Sequence, residues 1–220
     1  MLKLTNADAS AAILRAVDEG TLVQGKWHHK HEGRAVACLL GSMDPRVNSA
    51  ADCNGDLMPL WMAEMTVTLF DRLSKDQIAP IAKRYGAAVA GWHVLTDVRW
   101  KSVLTRFLIR TIDDALESAR PVNIGKPYWD AVEKACAQCR TAIESGDKDA
   151  ARAAARAAAD AADAADAAAR AADAARAARA ARAAYGAADA AADAVDAADA
   201  LFSFLLEQIE IEIAKGSSHV

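Results

Sequence analysis

Residues 150 to 200 are about two-thirds alanine, and single arginine or aspartate residues interrupt the run, mostly at steps of three or four. Alanine has the highest helix propensity of the amino acids, and no proline breaks this segment. Steps of three and four place the charged side chains on one face of a helix. The tract therefore predicts a long helical region whose remaining circumference is methyl groups that pack closely against neighbours.

A turn is predicted inside the alanine tract. Tyr185-Gly186 is its one helix-weakening step, and it separates a basic run from an acidic run. An antiparallel hairpin would let these two runs face each other near the turn. The alternative is one unbroken rod of about 50 residues, roughly 75 Å long. The basic run consists of Arg176, Arg179 and Arg182, and the acidic run consists of Asp189, Asp193, Asp196 and Asp199.

Helical spacing of apolar residues also dominates the rest of the chain. The pentapeptide IEIEI at residues 209–213 alternates, but it continues a helical pattern, so helix is the prediction there. No segment shows convincing strand alternation. The predicted class is therefore all-α: a bundle of about seven or eight helices, with a helical core domain at 1–146 and a long Ala-rich C-terminal helical hairpin at 147–220. The other predicted helices cover about 7–19, 34–43, 59–73, 74–91, 97–119, 128–144 and a final helix that ends near 214.

Bulk composition excludes several classes of protein. The formal net charge is −4 and the isoelectric point is about 5.7, which argues against a general nucleic-acid-binding protein. No run of 18 or more strongly apolar residues is present, so no membrane span is predicted. The first ten residues lack the apolar core of a signal peptide, and four cysteines in 220 residues do not resemble a secreted disulfide framework. We therefore expect a cytoplasmic protein.

The segment Trp27-His28-His29-Lys30-His31 is the most site-like patch of the sequence. His29 and His31 would lie on one side of an extended chain, and histidine binds zinc, copper or nickel. Cys38 or Cys53 could complete such a site. The spacing matches no standard zinc module, however, and a polar loop often carries surface histidines by chance. We therefore predict no metal site, and we keep His28, His29 and His31 as the weak candidates.

The remaining candidates for chemistry have structural explanations. Cys136-Ala-Gln-Cys139 has CxxC spacing, but it lies in the middle of a predicted helix with no preceding strand, where packing explains it equally well. No P-loop, GxGxxG, GxSxG or HExxH motif is present in the sequence. We therefore predict neither an enzyme nor a bound cofactor. The five tryptophans are numerous beside three tyrosines, and an exposed one would be a candidate binding hot spot.

Two segments and the tract carry a family resemblance. GRAVACLLGSM, PLWMAEMTVTLFDRLS and the Ala/Arg/Asp tract resemble a loose group of uncharacterised helical proteins from bacteriophages and proteobacterial mobile elements. Some alanine-rich members of that group carry the label of immunity protein. The resemblance spans most of the chain but transfers no catalytic residue. It implies a small accessory protein used in conflict between phage and host.

These observations favour a non-enzymatic helical protein-binding module. Its most specific version is a phage or mobile-element inhibitor of a bacterial defence complex, such as an anti-CRISPR protein. An acidic surface could occupy the nucleic-acid-binding groove of a basic partner, because complementary charge steers association. Neither direct nucleic-acid binding nor membrane binding is expected. The alternatives are a self-assembling structural helical protein, including a homodimer, and a metal-binding protein that uses the histidine cluster. The predicted partner-binding residues are Asp189, Asp193, Asp196 and Asp199.

Overall fold

The computed structural model describes residues 4–31, 33–53, 57–126, 128–146 and 180–217. Of the described residues, 69% are helical, which confirms the predicted all-α-like class. The described part contains six α-helices and one two-stranded sheet, so it does not support the count of seven or eight helices. The elements are α1 (Asn6–Asp18), β1 (His28–His31), β2 (Arg34–Ala37), α2 (Leu60–Phe70), α3 (Lys75–Ala90), α4 (Asp97–Asn123), α5 (Trp129–Ser145) and α6 (Ala180–Ser217).

The chain divides into two compact units. Residues 1–103 and 191–220 form the first unit, and residues 104–190 form the second. The long helices α4 and α6 contribute residues to both units. The sequence predicts a domain boundary between residues 146 and 147. Residues 147–179 lie outside the described residues, so this boundary stays a prediction.

Large apolar side chains of α6 lie in the core of the first unit. Phe202, Leu205, Leu206 and Ile209 are fully buried, and their spacing of three and four gives the helix one continuous apolar stripe. The ring of Phe202 packs edge-on against Tyr85 of α3, with centroids 6.0 Å apart. These are the large side chains that follow the alanine tract in the sequence. Their burial explains why this end of the helix belongs to the first unit.

Polar contacts also hold α6 against α3. The guanidinium of Arg84 donates two hydrogen bonds of 2.7 Å to the two carboxylate oxygens of Glu210. A third bond of 3.1 Å runs from Arg84 to the carbonyl oxygen of Ser203. Two parallel bonds to one carboxylate fix orientation as well as distance. This contact therefore sets the register between the two helices.

Close packing of α1 on α3 depends on a glycine. A Cβ atom at Gly86 would lie 3.0 Å from Cγ2 of Ile13, and Ile13 itself is fully buried. The start of α1 is fixed by a capping box, in which the Thr5 side chain accepts from the Asp8 N–H and the Asp8 side chain accepts from the Thr5 N–H. These features position α1 beside the sheet.

The segment 28–37 forms a β-hairpin, and the helix predicted over 34–43 is therefore wrong. β1 pairs antiparallel with β2, with His29 opposite Val36 and His31 opposite Arg34. Gly33 adopts the left-handed conformation with φ 80° in the turn. The peptide of Ala37 also bonds to residues 21 and 23 on its other side. Strands of four residues are too short for alternation to be visible, which is why the sequence pattern missed them.

α6 corrects a second prediction. The helix continues through Tyr185-Gly186 without a break, so the turn predicted at that step is wrong. A single glycine inside a helix costs only about 1 kcal/mol relative to alanine, and the surrounding alanines offset that cost. Residues 150–179, which would form the first arm of a hairpin, lie outside the described residues. The helical prediction for residues 209–213 is confirmed, since all five lie within α6.

The second unit contains α5 and the greater part of α4. Arg120 pairs with Glu133 at 2.8 Å, and Arg140 pairs with Asp113 at 3.0 Å. α5 ends at Gly146, which takes the left-handed conformation with φ 74°. α4 extends to residue 123, beyond the end predicted near residue 119, and contains Pro121 within its C-terminal turn.

Candidate functional site

Asp199, one of the four predicted partner-binding aspartates, makes an intramolecular contact. Its Oδ1 accepts a hydrogen bond of 3.3 Å from the backbone N–H of Ser74, and its Oδ2 accepts one of 3.1 Å from the Ser74 hydroxyl. Ser74 is the residue before the first turn of α3, and its own side chain does not cap that helix. Asp199 therefore places a carboxylate at the N-terminus of α3, where negative charge is favourable.

We expect Asp199→Ala to lower the free energy of unfolding by about 1 kcal/mol, within the 0.5–2 kcal/mol range of lost helix caps. Glu207→Ala is the matched control, because Glu207 is an exposed acid on the same helix and should change stability by less than about 0.5 kcal/mol. Urea unfolding of the full chain at neutral pH measures both. Equal stability of the Asp199 variant and the wild type would contradict the capping role.

The other three aspartates lie in α6, although their side chains are outside the part that the structure describes. Three exposed residues of α6, Ala200, Glu207 and Ile211, mark the side of the helix that faces solvent. At about 100° per residue, helical spacing assigns positions 193 and 196 to this same face. Position 199 falls to one side of it. We call the residues Asp193, Asp196 and Glu207, which all belong to the first unit, the α6 acidic face. Asp189 belongs to the second unit, and its part in partner binding stays a prediction.

The histidine cluster lies on β1, whose four residues are all exposed. The extended backbone separates its members: His29 and His31 share one face of the strand, and His28 lies on the other. Nε2 of His28 is 2.8 Å from the carbonyl oxygen of Val47. His28 and His29 border a cleft of about 230 Å³ beside α1, which Arg15 and Glu19 also line.

An ion pair between the buried Asp44 and the exposed Arg46 fixes the loop that contacts His28. Asp44 is 8% exposed, and it accepts 2.8 Å hydrogen bonds from both the backbone N–H and the Nε–H of Arg46. The side-chain hydrogen bond from Arg46 is the main cause that lowers the pKa of Asp44 to about 2. The carboxylate therefore stays ionised at physiological pH. Its role is to shape the turn that presents Val47 to His28.

The cysteines do not complete a metal site with the histidines. Burial raises the pKa of Cys38, and it raises the pKa of Cys53 to about 11, with a further contribution from Cys38. Burial likewise raises the pKa of Cys136. Without a metal ion, these thiols therefore ionise less readily than a free cysteine, which disfavours redox chemistry that needs the thiolate. In the described ranges no group of three or more His, Cys, Asp and Glu residues could hold a metal ion.

A second cleft, which the sequence did not reveal, lies where α2 and α4 begin. It has a volume of about 190 Å³, and Trp92, Trp100, His93 and Asp97 are among the residues that line it. Both tryptophans are buried, at 2% and 7% exposure, and their rings meet edge to face with centroids 5.3 Å apart. Trp129 is also buried. Trp27 and Trp61 are half-buried, so all five tryptophans are at least partly covered.

Comparison with known proteins gives no name for this site. No protein-family model, no curated protein and no solved structure matches the chain. The resemblance to helical phage and mobile-element proteins therefore stays an expectation. Among the described helices, none is both long enough and apolar enough to span a membrane.

Proposed function

We propose that this chain is a non-enzymatic protein-binding module that binds a basic partner protein through the α6 acidic face. The observation that supports the proposal is which side of α6 faces solvent. Its exposed face in the described region, marked by Glu207, is the face to which helical spacing assigns Asp193 and Asp196. Asp199 is excluded from this face because it caps α3.

The anchoring of α6 supports binding by this face. Phe202, Leu205 and Ile209 bury the opposite side of the helix, and Arg84 fixes its rotation through Glu210. A helix held in this way presents its exposed residues with little loss of conformational entropy on binding. Carboxylates on a rigid support therefore suit recognition of a charged partner.

The spacing of the carboxylates suggests the kind of partner. Positions 193 to 207 extend about 21 Å along a helix axis at 1.5 Å per residue. A row of carboxylates of that length can take the place of backbone phosphates in a basic groove, because such grooves recognise negative charge without reading sequence. The most specific form of the proposal is therefore an inhibitor of a nucleic-acid-binding bacterial defence complex.

We test the proposal by reversing charge on the face. Asp193→Lys, Asp196→Lys and Glu207→Lys are combined in one variant and compared with the wild type by affinity capture from bacterial lysate, with the captured proteins and nucleic acids identified. The control variant combines Glu64→Lys, Glu117→Lys and Glu144→Lys, which changes the net charge equally at exposed acids elsewhere. We expect a stoichiometric basic protein with the wild type and the control and its loss from the face variant.

Three outcomes would contradict the proposal. Retention of the partner by the face variant would exclude the acidic face as the binding site. Loss of the partner from the control variant as well would show that binding depends on net charge and not on this face. Capture of nucleic acid alone would contradict the expected class of partner. Elution of a true partner by salt is expected, because a Debye length of about 8 Å at physiological ionic strength shortens further as salt is added.

A further inference from the structure

We infer that the face of β1 formed by His29 and His31 binds one first-row transition-metal dication, of the class of Zn²⁺, Ni²⁺ or Cu²⁺. The inference is independent of the proposed protein-binding function. It depends on the extended conformation of β1, which the sequence left as a possibility and the structure establishes. In that conformation the three histidines of the segment are not equivalent.

The extended backbone brings His29 and His31 to the same face. Residues two apart in a strand have their Cα atoms about 6.6 Å apart and project side chains in the same direction. Tetrahedral coordination with metal–nitrogen bonds of about 2.0–2.1 Å needs the two nitrogens about 3.3 Å apart. Both side chains are exposed, so their rings are free to rotate toward each other. Pairing with β2 holds the strand itself in place.

His28 is excluded from the same site for two reasons. It lies on the opposite face of β1, and its Nε2 is 2.8 Å from the carbonyl oxygen of Val47. No described residue makes a hydrogen bond or an ion pair with the ring of His29 or of His31, so none of them competes with a metal ion for the ring nitrogens. Arg34 lies opposite His31, but it is exposed and its guanidinium can extend into solvent.

The donor set determines the class of metal. Two imidazoles are borderline-soft nitrogen ligands that suit zinc, copper and nickel, whereas magnesium and calcium prefer oxygen. No third His, Cys, Asp or Glu of the described residues joins the pair. With these two protein ligands, water completes the coordination and the bound ion stays exchangeable. This differs from a structural zinc site, where four protein ligands close the coordination sphere.

The test uses the full chain without an affinity tag, because a polyhistidine tag would itself bind metal. Isothermal titration with Zn²⁺ and with Ni²⁺ is expected to show one equivalent bound per chain. His29→Ala and His31→Ala should each weaken binding at least about tenfold, since loss of even an outer-shell partner costs 10–100-fold. His28→Ala, the matched control one residue away, should stay within about twofold of the wild type.

The NMR signals of the histidine rings give a second measurement of metal binding. Addition of Zn²⁺ should shift the ring signals of His29 and His31 and leave those of His28 and His93 unchanged. If His28→Ala does not fold, His93→Ala replaces it as the control, because Nδ1 of His93 bonds locally to the Ala90 carbonyl oxygen. Equal metal binding by the double variant His29→Ala/His31→Ala would overturn the inference. A loss in the control as large as in the single variants would overturn it as well.

Discussion

Ile209→Ala is expected to lower the free energy of unfolding by about 2–5 kcal/mol, whereas Ile211→Ala lowers it by about 1 kcal/mol or less. The two substitutions remove the same atoms from the same helix. Ile209 is fully buried, but Ile211 is 38% exposed. Since the transfer and cavity terms arise only where the removed methyl groups were buried, the difference in burial sets the difference in cost.

This pair also tests the conformation of the alternating segment IEIEI. In a strand, Ile209 and Ile211 would share one face and the two substitutions would have similar effects. In a helix they lie about 200° apart, so one is buried and the other exposed. Urea unfolding of both variants and the wild type distinguishes the two cases. Equal destabilisation would contradict the placement of these residues in α6.

The presence of the helices could be predicted from the sequence, because the sequence signals for a helix are local and repeated. Five helices begin and end near their predicted bounds, since proline, glycine and capping residues punctuate periodic runs. α3 is one example: its predicted cap, Ser74, directly precedes its first residue, and Gly91 directly follows its last. The final helix was predicted for the same reason, because Leu205, Leu206 and Ile209 repeat at helical spacing.

The hairpin could not be predicted, because its stability comes from partners distant in sequence. The peptide of Ala37 bonds to residues 21 and 23 as well as pairing with β1. The run that follows Arg34 is apolar at nearly every position, so its periodicity does not distinguish strand from buried helix. The prediction of a turn at Tyr185-Gly186 was wrong for a local reason. One glycine weakens a helix too little to end it among many alanines.

The candidate sites show the same division between local and distant information. The spacing of Asp189, Asp193 and Asp196 predicts a shared face, whatever lies around the helix. The capping of α3 by Asp199 spans 125 positions of sequence, so no local pattern could indicate it. The cleft beside Trp92 and Trp100 is also assembled from two segments distant in sequence, 57–59 and 92–100. Residues whose role depends on a distant partner therefore needed the structure.

Arg99→Met is the second substitution for which we expect a large effect, with a loss of about 3 kcal/mol in the free energy of unfolding. Glu212 is 5% exposed, and its carboxylate lies 3.9 Å from the Arg99 guanidinium and 2.9 Å from the Lys215 ammonium. Arg99 also donates a 2.7 Å hydrogen bond to the Glu212 carbonyl oxygen. Its removal leaves a buried carboxylate with weaker compensation, which is costly in a region of low dielectric constant.

The control for this substitution is Lys101→Met, because Lys101 is an exposed cation on the same helix and should change stability by less than about 0.5 kcal/mol. Chemical unfolding of Arg99→Met, Glu212→Gln and the double variant completes a cycle. If the double variant is more stable than Arg99→Met, the loss arises from the weaker compensation of the buried carboxylate. If it is no more stable, the loss arises from the bond to the backbone carbonyl oxygen of Glu212, since the Glu212→Gln substitution keeps that oxygen and removes only the charge. A negligible effect of Arg99→Met would contradict both explanations and the proposed attachment of the α6 C-terminus to the start of α4.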